Sequence, residues 1–147
     1  MPTNPTDLLR ACNAISHPAN GAVSPLVVYL AGPMSCTGLP DDPIAWALLQ
    51  QRAKYACRVQ CQLLRTGIVS INPYSSCLDP GMWSYQPVAW YHGDLWLIKR
   101  SDAIGLLPGW EGSIGVTQYE IPYARSIGLP IYKWDDQAES LVEVRDV

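Results

Sequence analysis

Four short, mostly apolar runs, at residues 26–31, 68–71, 103–107 and 129–132, the first of them continuous, divide this 147-residue chain into segments long enough to hold helices. A run of four to six apolar residues bounded by turn signals suits a strand covered on both faces, where no side chain meets solvent. Leu26-Val27-Val28-Tyr29-Leu30-Ala31 stops at Gly32-Pro33, and Ile68-Val69-Ser70-Ile71 stops at Asn72-Pro73. Ala103-Ile104-Gly105-Leu106-Leu107 stops at Pro108-Gly109, and Leu129-Pro130-Ile131-Tyr132 follows Gly128. Joining covered strands in parallel needs a crossover of about a dozen residues or more, usually a helix. The chain therefore reads as an α/β protein, a parallel sheet of four to five strands with helices on both faces.

The intervening segments carry helical patterns. Residues 44–65 place Ala47, Leu48, Tyr55, Val59 and Leu63 at helical spacing, and Thr66-Gly67 closes the helix with Gly67 as its C′ residue. Pro87 opens a helix running to Arg100, with Val88, Tyr91, Leu95 and Ile98 facing inward. Ser113 is placed to cap a helix over residues 114–126, ended by Gly128. Residues 74–86, with Pro80 and Gly81, form a long loop of the kind that is functional or mobile. The acidic tail, residues 135–147, is expected to add one last helix. Residues 1–24, rich in Pro, Asn and Ser with a short helical candidate at 7–15, read as an N-terminal extension, packed on the domain or partly loose. Residues 25–147 read as one domain.

Composition removes several function classes. Hydrophobic residues make up 48% of the chain and charged residues 16%, so disorder and coiled coil are excluded. The net charge of −3 supplies no basic field for a nucleic-acid backbone. The apolar run at 22–32 is broken by Ser24 and Pro25 and is too short to cross a bilayer, and residues 1–20 lack the pattern of a signal peptide. The five cysteines, Cys12, Cys36, Cys57, Cys61 and Cys77, are odd in number and contain no CxxC pair, against a disulfide framework or zinc knuckle. Cys57 and Cys61, four apart on a helix, are expected to be small buried hydrophobes. The expected setting is a reduced, cytoplasmic one. Six Trp and eight Tyr with no Phe give the aromatic packing to rings with a hydrogen-bonding tip.

Ligands of open parallel sheets bind beyond the carboxyl ends of the strands. That rule selects residues 32–38, 72–87 and 108–113, together with the openings of the helices that hold Asp94 and Glu120. Both carboxylates can point to the same edge, with Trp110 near to exclude water, an arrangement used in glycosyl transfer and hydrolysis. Each residue also has a plainer reading. A Glu early in a helix complements the macrodipole, Asp94 beside Gly93 can be solvated surface, and Asp102 can end a strand. Trp110 can cover the sheet, and Ser113 can act as a cap, although a helix start also binds phosphate. No GxGxxG or GxxxxGK[ST] motif occurs, and Glu111-Gly112-Ser113-Ile114-Gly115 fails as a nucleophile elbow because Glu111 replaces the first glycine. His17 and His92 have no spaced partner, so no metal is expected, and Cys36 has no basic neighbour in its loop to activate it.

Taken in order, Val28-Tyr29-Leu30-Ala31-Gly32-Pro33-Met34, Asn72-Pro73, Asp94-Leu95, Asp102-Ala103-Ile104, the segment Leu107-Pro108-Gly109-Trp110-Glu111-Gly112-Ser113-Ile114-Gly115 and Glu120-Ile121-Pro122-Tyr123-Ala124 resemble the nucleoside 2-deoxyribosyltransferase superfamily. That superfamily includes deoxynucleoside 5′-monophosphate N-glycosidases and small phage and bacterial relatives. The resemblance covers roughly residues 26–133 and implies a flavodoxin-like, Rossmann-like three-layer sandwich and cleavage of an N-glycosidic bond without a cofactor. It makes Glu120 the nucleophile, Asp94 the acid that assists the leaving base or holds the sugar, and Tyr29 a neighbour of the nucleophile. Gly32, Pro33, Met34, Ser35, Asn72, Trp110, Glu111, Ser113 and Gly115 would surround the substrate. A serine at 113 suits a 5′-phosphate, where the transferases carry an acid. Such relatives assemble as homo-oligomers in which a neighbouring subunit completes the pocket.

The spacing from Ser113 to Glu120 is seven residues, where the family pattern has six. One added residue turns a helical side chain by about 100°. Either the helix starts one residue late, with a bulge at Val116-Thr117, or Glu120 is turned away from the site. The second outcome would leave a catalytically silent nucleotide-binding domain, and a ligand-free oligomeric scaffold is a third possibility. The loop after the first strand holds no Arg, so a phosphate would rely on backbone N–H groups and on Ser35 or Ser113.

Overall fold

A computed structural model describes residues 26–34, 42–78 and 87–146. The four apolar runs form β1 (Val27–Ala31), β2 (Val69–Ile71), β3 (Ala103–Leu106) and β4 (Ile131–Asp135). All pair in parallel, and β5 (Ser140–Glu143) adds antiparallel to β4, giving the order β2-β1-β3-β4-β5. This is the flavodoxin-like strand order, whose switch point lies between β1 and β3.

Helix α1 (Pro43–Arg65) opens on Asp42, whose Oδ1 accepts from the N–H groups of Ile44 and Ala45 at 2.9 and 3.2 Å. It closes at Thr66, followed by Gly67 at φ 82°. It buries Ala45, Leu49, Ala53, Ala56, Val59 and Leu63. Leu49 is the contact residue where the spacing suggested Leu48, and Ala47 and Leu48 are exposed. Cys57 and Cys61 also face outward, against the expectation of burial, because only one stripe of this 23-residue helix meets the sheet.

The alternation of β1 divides the core. Val28 and Leu30 pack with α1, whereas Tyr29 and Ala31 pack on the other face with Ile98, Val116, Ile121 and Ala124. Ile98 belongs to α2 (Pro87–Lys99), and Ile121 and Ala124 belong to α3 (Ile121–Ser126). The result is a three-layer sandwich with α1 on one side and α2 and α3 on the other.

The tail departs from the expected helix. Asp135 Oδ1 accepts from the N–H groups of Gln137 and Ala138, a local turn that competes with helix formation and sends the chain back as β5. The short helical candidate at 7–15, Ser35, Cys12 and Cys36 lie outside the described residues, as does the side chain of Val88. Within 74–86, a 3₁₀ turn at Pro73–Cys77 begins the stretch expected to be a loop. Among the described residues no helix is long and apolar enough to cross a membrane.

Gly105 lies at the crowded centre of β3. A Cβ there would sit 3.1 to 3.3 Å from Val28 Cγ1, Leu30 Cδ2 and Leu141 Cδ2, and Val28 and Leu30 are fully buried with no room to yield. Gly105→Ala should therefore destabilise the domain by about 1–3 kcal/mol. A drop in the urea midpoint checks this, and an unchanged midpoint would mean the sheet accepts the methyl group.

Candidate active site

Tyr29 stands at the middle of β1 on the α2/α3 face and is fully buried. Its hydroxyl donates to Glu120 Oε1 at 2.9 Å, a contact spanning 91 residues of sequence. Asp94 comes from α2, one helical turn after Tyr91 and one before Ile98, so it rides the inward stripe, not the solvent face. Asp94 and Glu120 are 7% and 5% exposed, which rules out the surface reading for Asp94.

Glu120 owes its position to an irregular helix. Residues 114 and 115 are α-helical, Val116–Glu120 form a π turn, and α3 follows without a break. The Thr117 N–H still bonds to the Ser113 carbonyl in ordinary i→i−4 fashion, whereas the Ile121 N–H reaches five residues back to Val116. A π turn takes in one extra residue per turn. It therefore cancels the rotation of about 100° that the seventh residue would otherwise impose. Pro122 supplies the cause. A proline inside a helix has no N–H and its ring collides with the carbonyl four residues back, so the preceding turn must widen. Of the two outcomes left open by the spacing, the bulge is the one observed, and Glu120 faces Tyr29.

Burial sets the electrostatics. Desolvation, and then the charge of Asp94, lift Glu120 to about 8, against a smaller lowering by the Tyr29 hydroxyl. Desolvation likewise lifts Asp94 to about 6, again opposed by Tyr29. Tyr29 itself is held well above its ordinary range by burial and by the two acids. Glu120 Oε2 is buried and makes no hydrogen bond. An ionised oxygen without a donor in a dry site is costly, so the proton stays on Glu120 at neutral pH. Between about pH 6 and 8 the two carboxyls hold one proton between them.

The other sequence-selected residues fall into two groups. Ser113 is buried at the start of the irregular helix, and its Oγ accepts from the Val116 N–H at 3.4 Å, the expected cap. Trp110, in a 3₁₀ turn, is half-buried and packs on the cluster containing Tyr29. Gly32 ends β1 where a Cβ would meet the Tyr74 hydroxyl at 2.8 Å, so its absent side chain makes room for Tyr74. Pro33 packs on Gly109, joining the loops after β1 and β3, with Met34 half-buried beside them. Gly115 lies 3.2 Å, by its would-be Cβ, from the edge of the Tyr91 ring.

Asn72 and Asp102 serve the scaffold. Asn72 Oδ1 caps the 3₁₀ turn through the Tyr74 N–H and its Nδ2 reaches Cys57 Sγ, while Asp102 Oδ2 accepts from the Val27 N–H. Glu111 is exposed. The sequence singled out neither Tyr74 nor Tyr119 for the site, and it gave Tyr91 only as an inward-facing helix residue; in the fold the rings of Tyr91 and Tyr119 stack. The signal for Tyr91 was its place three residues before Asp94. Among the described residues no group of three metal-ligating side chains converges. A groove of about 350 Å³ lined by Leu26, Ile68, Asp102 and Pro130 opens at the opposite, amino ends of the strands, away from this site.

A family model described as a domain of unknown function, DUF4406, matches residues 26–133, from the start of β1 into β4. The chain belongs to the DUF4406 family. Comparison with curated proteins and with solved structures finds no significant match. The DUF4406 match takes in Tyr29, Asp94, Ser113 and Glu120, so the site is part of the family domain, not of its flanks.

Both carboxyls bind protons more tightly in the folded chain than in the unfolded one, so between about pH 4 and 8 unfolding releases protons and stability falls as pH rises. Urea midpoints should decline from pH 5.5 to 8.5. Glu120→Gln should flatten that decline and exceed the wild type at pH 8.5 by on the order of 1–3 kcal/mol. An equally steep decline in the variant would show that Glu120 does not hold its proton.

Proposed function

We propose that this DUF4406 domain cleaves or transfers the N-glycosidic bond of a (deoxy)nucleoside or its 5′-monophosphate, with Glu120 as nucleophile. The observation that carries this reading is the pair of buried carboxyls, Asp94 and Glu120, governed by one tyrosine hydroxyl at the sheet's switch point. It joins the sequence resemblance to nucleoside 2-deoxyribosyltransferases and 5′-monophosphate N-glycosidases.

Glycosidic cleavage needs two acids in opposite protonation states flanking one sugar. Tyr29 holds Glu120 Oε1, which leaves the unpartnered Oε2 to attack the anomeric carbon. The C–N bond breaks with its electron pair passing to the base, and the single proton of the pair, on Asp94 in the reactive tautomer, goes to the departing nitrogen. Water or an incoming base then displaces Glu120 from the sugar. Low local dielectric strengthens the attraction between the carboxylate and the oxocarbenium-like transition state. Half-buried Trp110 helps to keep water out. Ser113 accepts from Val116 yet retains a hydroxyl proton to donate, which suits a 5′-phosphate at the helix start. A cytoplasmic nucleotide pool and a homo-oligomer whose neighbouring copy closes the pocket complete the proposal. The case for a silent nucleotide-binding domain rested on a misaimed Glu120, and the π turn removes that reason.

Incubation with a panel of nucleosides and 5′-monophosphates, followed by chromatography for free base, tests the reading. Release should follow a bell-shaped kcat/KM profile with flanks near pH 6 and 8, because only the singly protonated pair reacts. Glu120→Ala should reduce it by at least about 10³-fold with the fold intact. Binding without base release by the wild type, or turnover unchanged in Glu120→Ala, would overturn the mechanism.

A further inference from the structure

The π turn raises a mechanical question. A widened turn lacks one ordinary helical hydrogen bond, yet Glu120 must hold its place beside a second acid that repels it whenever both ionise. The core side of the turn is held by Val116 and Ile121. On its outer side, Tyr119, the residue immediately before Glu120, stacks on Tyr91 of α2 with ring centroids 4.6 Å apart and planes 11° apart. Tyr91 lies three residues before Asp94, hence on the same face of α2. The edge of its ring passes 3.2 Å from where a Cβ of residue 115 would be, a space kept open by Gly115 at the beginning of the same irregular helix.

We propose that the Tyr91–Tyr119 stack is a clasp that fixes the separation of Asp94 and Glu120, which makes both tyrosines positioning residues. One ring is attached a helical turn from Asp94 and the other is the chain neighbour of Glu120, so the stack ties together the two elements that carry the acids. Tyr119 is 43% exposed, so its ring adds little to the core, and its packing against Tyr91 serves to hold the turn. The hydroxyls play no part in a parallel stack, so phenylalanine serves equally well at either position. Among the described residues the groups acting on Glu120 are Asp94 from α2 and Tyr29 from β1, and Tyr29 also acts on Asp94. Opening the clasp lets the acids part and admits water, which brings the Glu120 titration down toward the ordinary carboxylate range.

The clasp rests on the reading that Asp94 and Glu120 act as one site, but its test needs no substrate. Carboxyl ¹³C resonances of the full-length protein are followed from pH 4 to 10 in wild type, Tyr119→Ala, Tyr119→Phe, Tyr91→Phe and Gly115→Ala. Tyr119→Ala should lower the Glu120 titration by about one pH unit, a tenfold loss of proton affinity. Gly115→Ala, which displaces the Tyr91 ring without removing it, should move it the same way, and both Phe variants should titrate as wild type. Glu120 titrating as wild type in Tyr119→Ala, or Phe failing to rescue, would overturn the clasp. These shifts in a protein that releases no base would support the clasp while sinking the glycosidic function, and base release without the shifts would do the reverse.

Discussion

The hydrogen bond from Tyr29 to Glu120 ties the sheet to the pair of buried acids. A buried hydroxyl at 2.9 Å holds one carboxyl oxygen, and the same hydroxyl restrains the proton affinity of Asp94. Both acids are buried where water solvates their charges poorly, and burial is the largest influence on each. The core that makes β1 stable is therefore the medium that keeps a proton on this pair at neutral pH. Val28 and Leu30 give the strand its grip on α1, and the alternation of the strand turns Tyr29 to the other layer, toward α2 and the irregular helix. The tyrosine at the centre of the site is thus held by a strand buried at four of its five residues and not by a loop.

The second constraint is Pro122. A proline eight residues after the start of a helix has the means to break it. Here the helix continues, because the turn before the proline widens to a π geometry and the bond from Ile121 to Val116 replaces the tighter one. The same widening absorbs the extra residue in the seven-residue interval from Ser113 to Glu120. A steric demand of one residue thereby sets the aim of its neighbour two positions earlier, and Ser113, two turns back, remains the helix cap.

Much of this was legible in the sequence for definite reasons. β1 and β3 are buried along nearly their whole length, so their apolar runs stood out, whereas β2 and β4 expose Val69 and Lys133 and were marked by the turn residues beside them. The parallel sheet followed from the helices between the four. The spacing of Tyr91, Leu95 and Ile98 marked the inward face of α2, but Asp94 beside Gly93 read equally well as solvated surface, and only its burial in the fold decides between the two. The rest was hidden in competing local signals. In α1, alanine, tryptophan and leucine crowd consecutive positions, and apolarity alone did not separate Leu49 from Leu48. The acidic tail looked helical until the side chain of Asp135 captured two backbone N–H groups. Cysteine's usual burial misled because α1 offers more surface than the sheet covers. The π turn was readable from Pro122 within an otherwise helical pattern, and the stacking of Tyr91 on Tyr119 required the three-dimensional arrangement of two helices.

A single proton retained by two buried acids is the feature on which the site turns. Difference infrared spectroscopy of the carboxyl C=O stretch reads it directly, in the full-length protein at pH 7. A protonated-carboxyl band should be present in the wild type, absent in Glu120→Gln, and retained to higher pH in Tyr29→Phe, where the restraining hydroxyl is gone. A spectrum without a protonated carboxyl at pH 7, or a band that survives unchanged in Glu120→Gln, would contradict it.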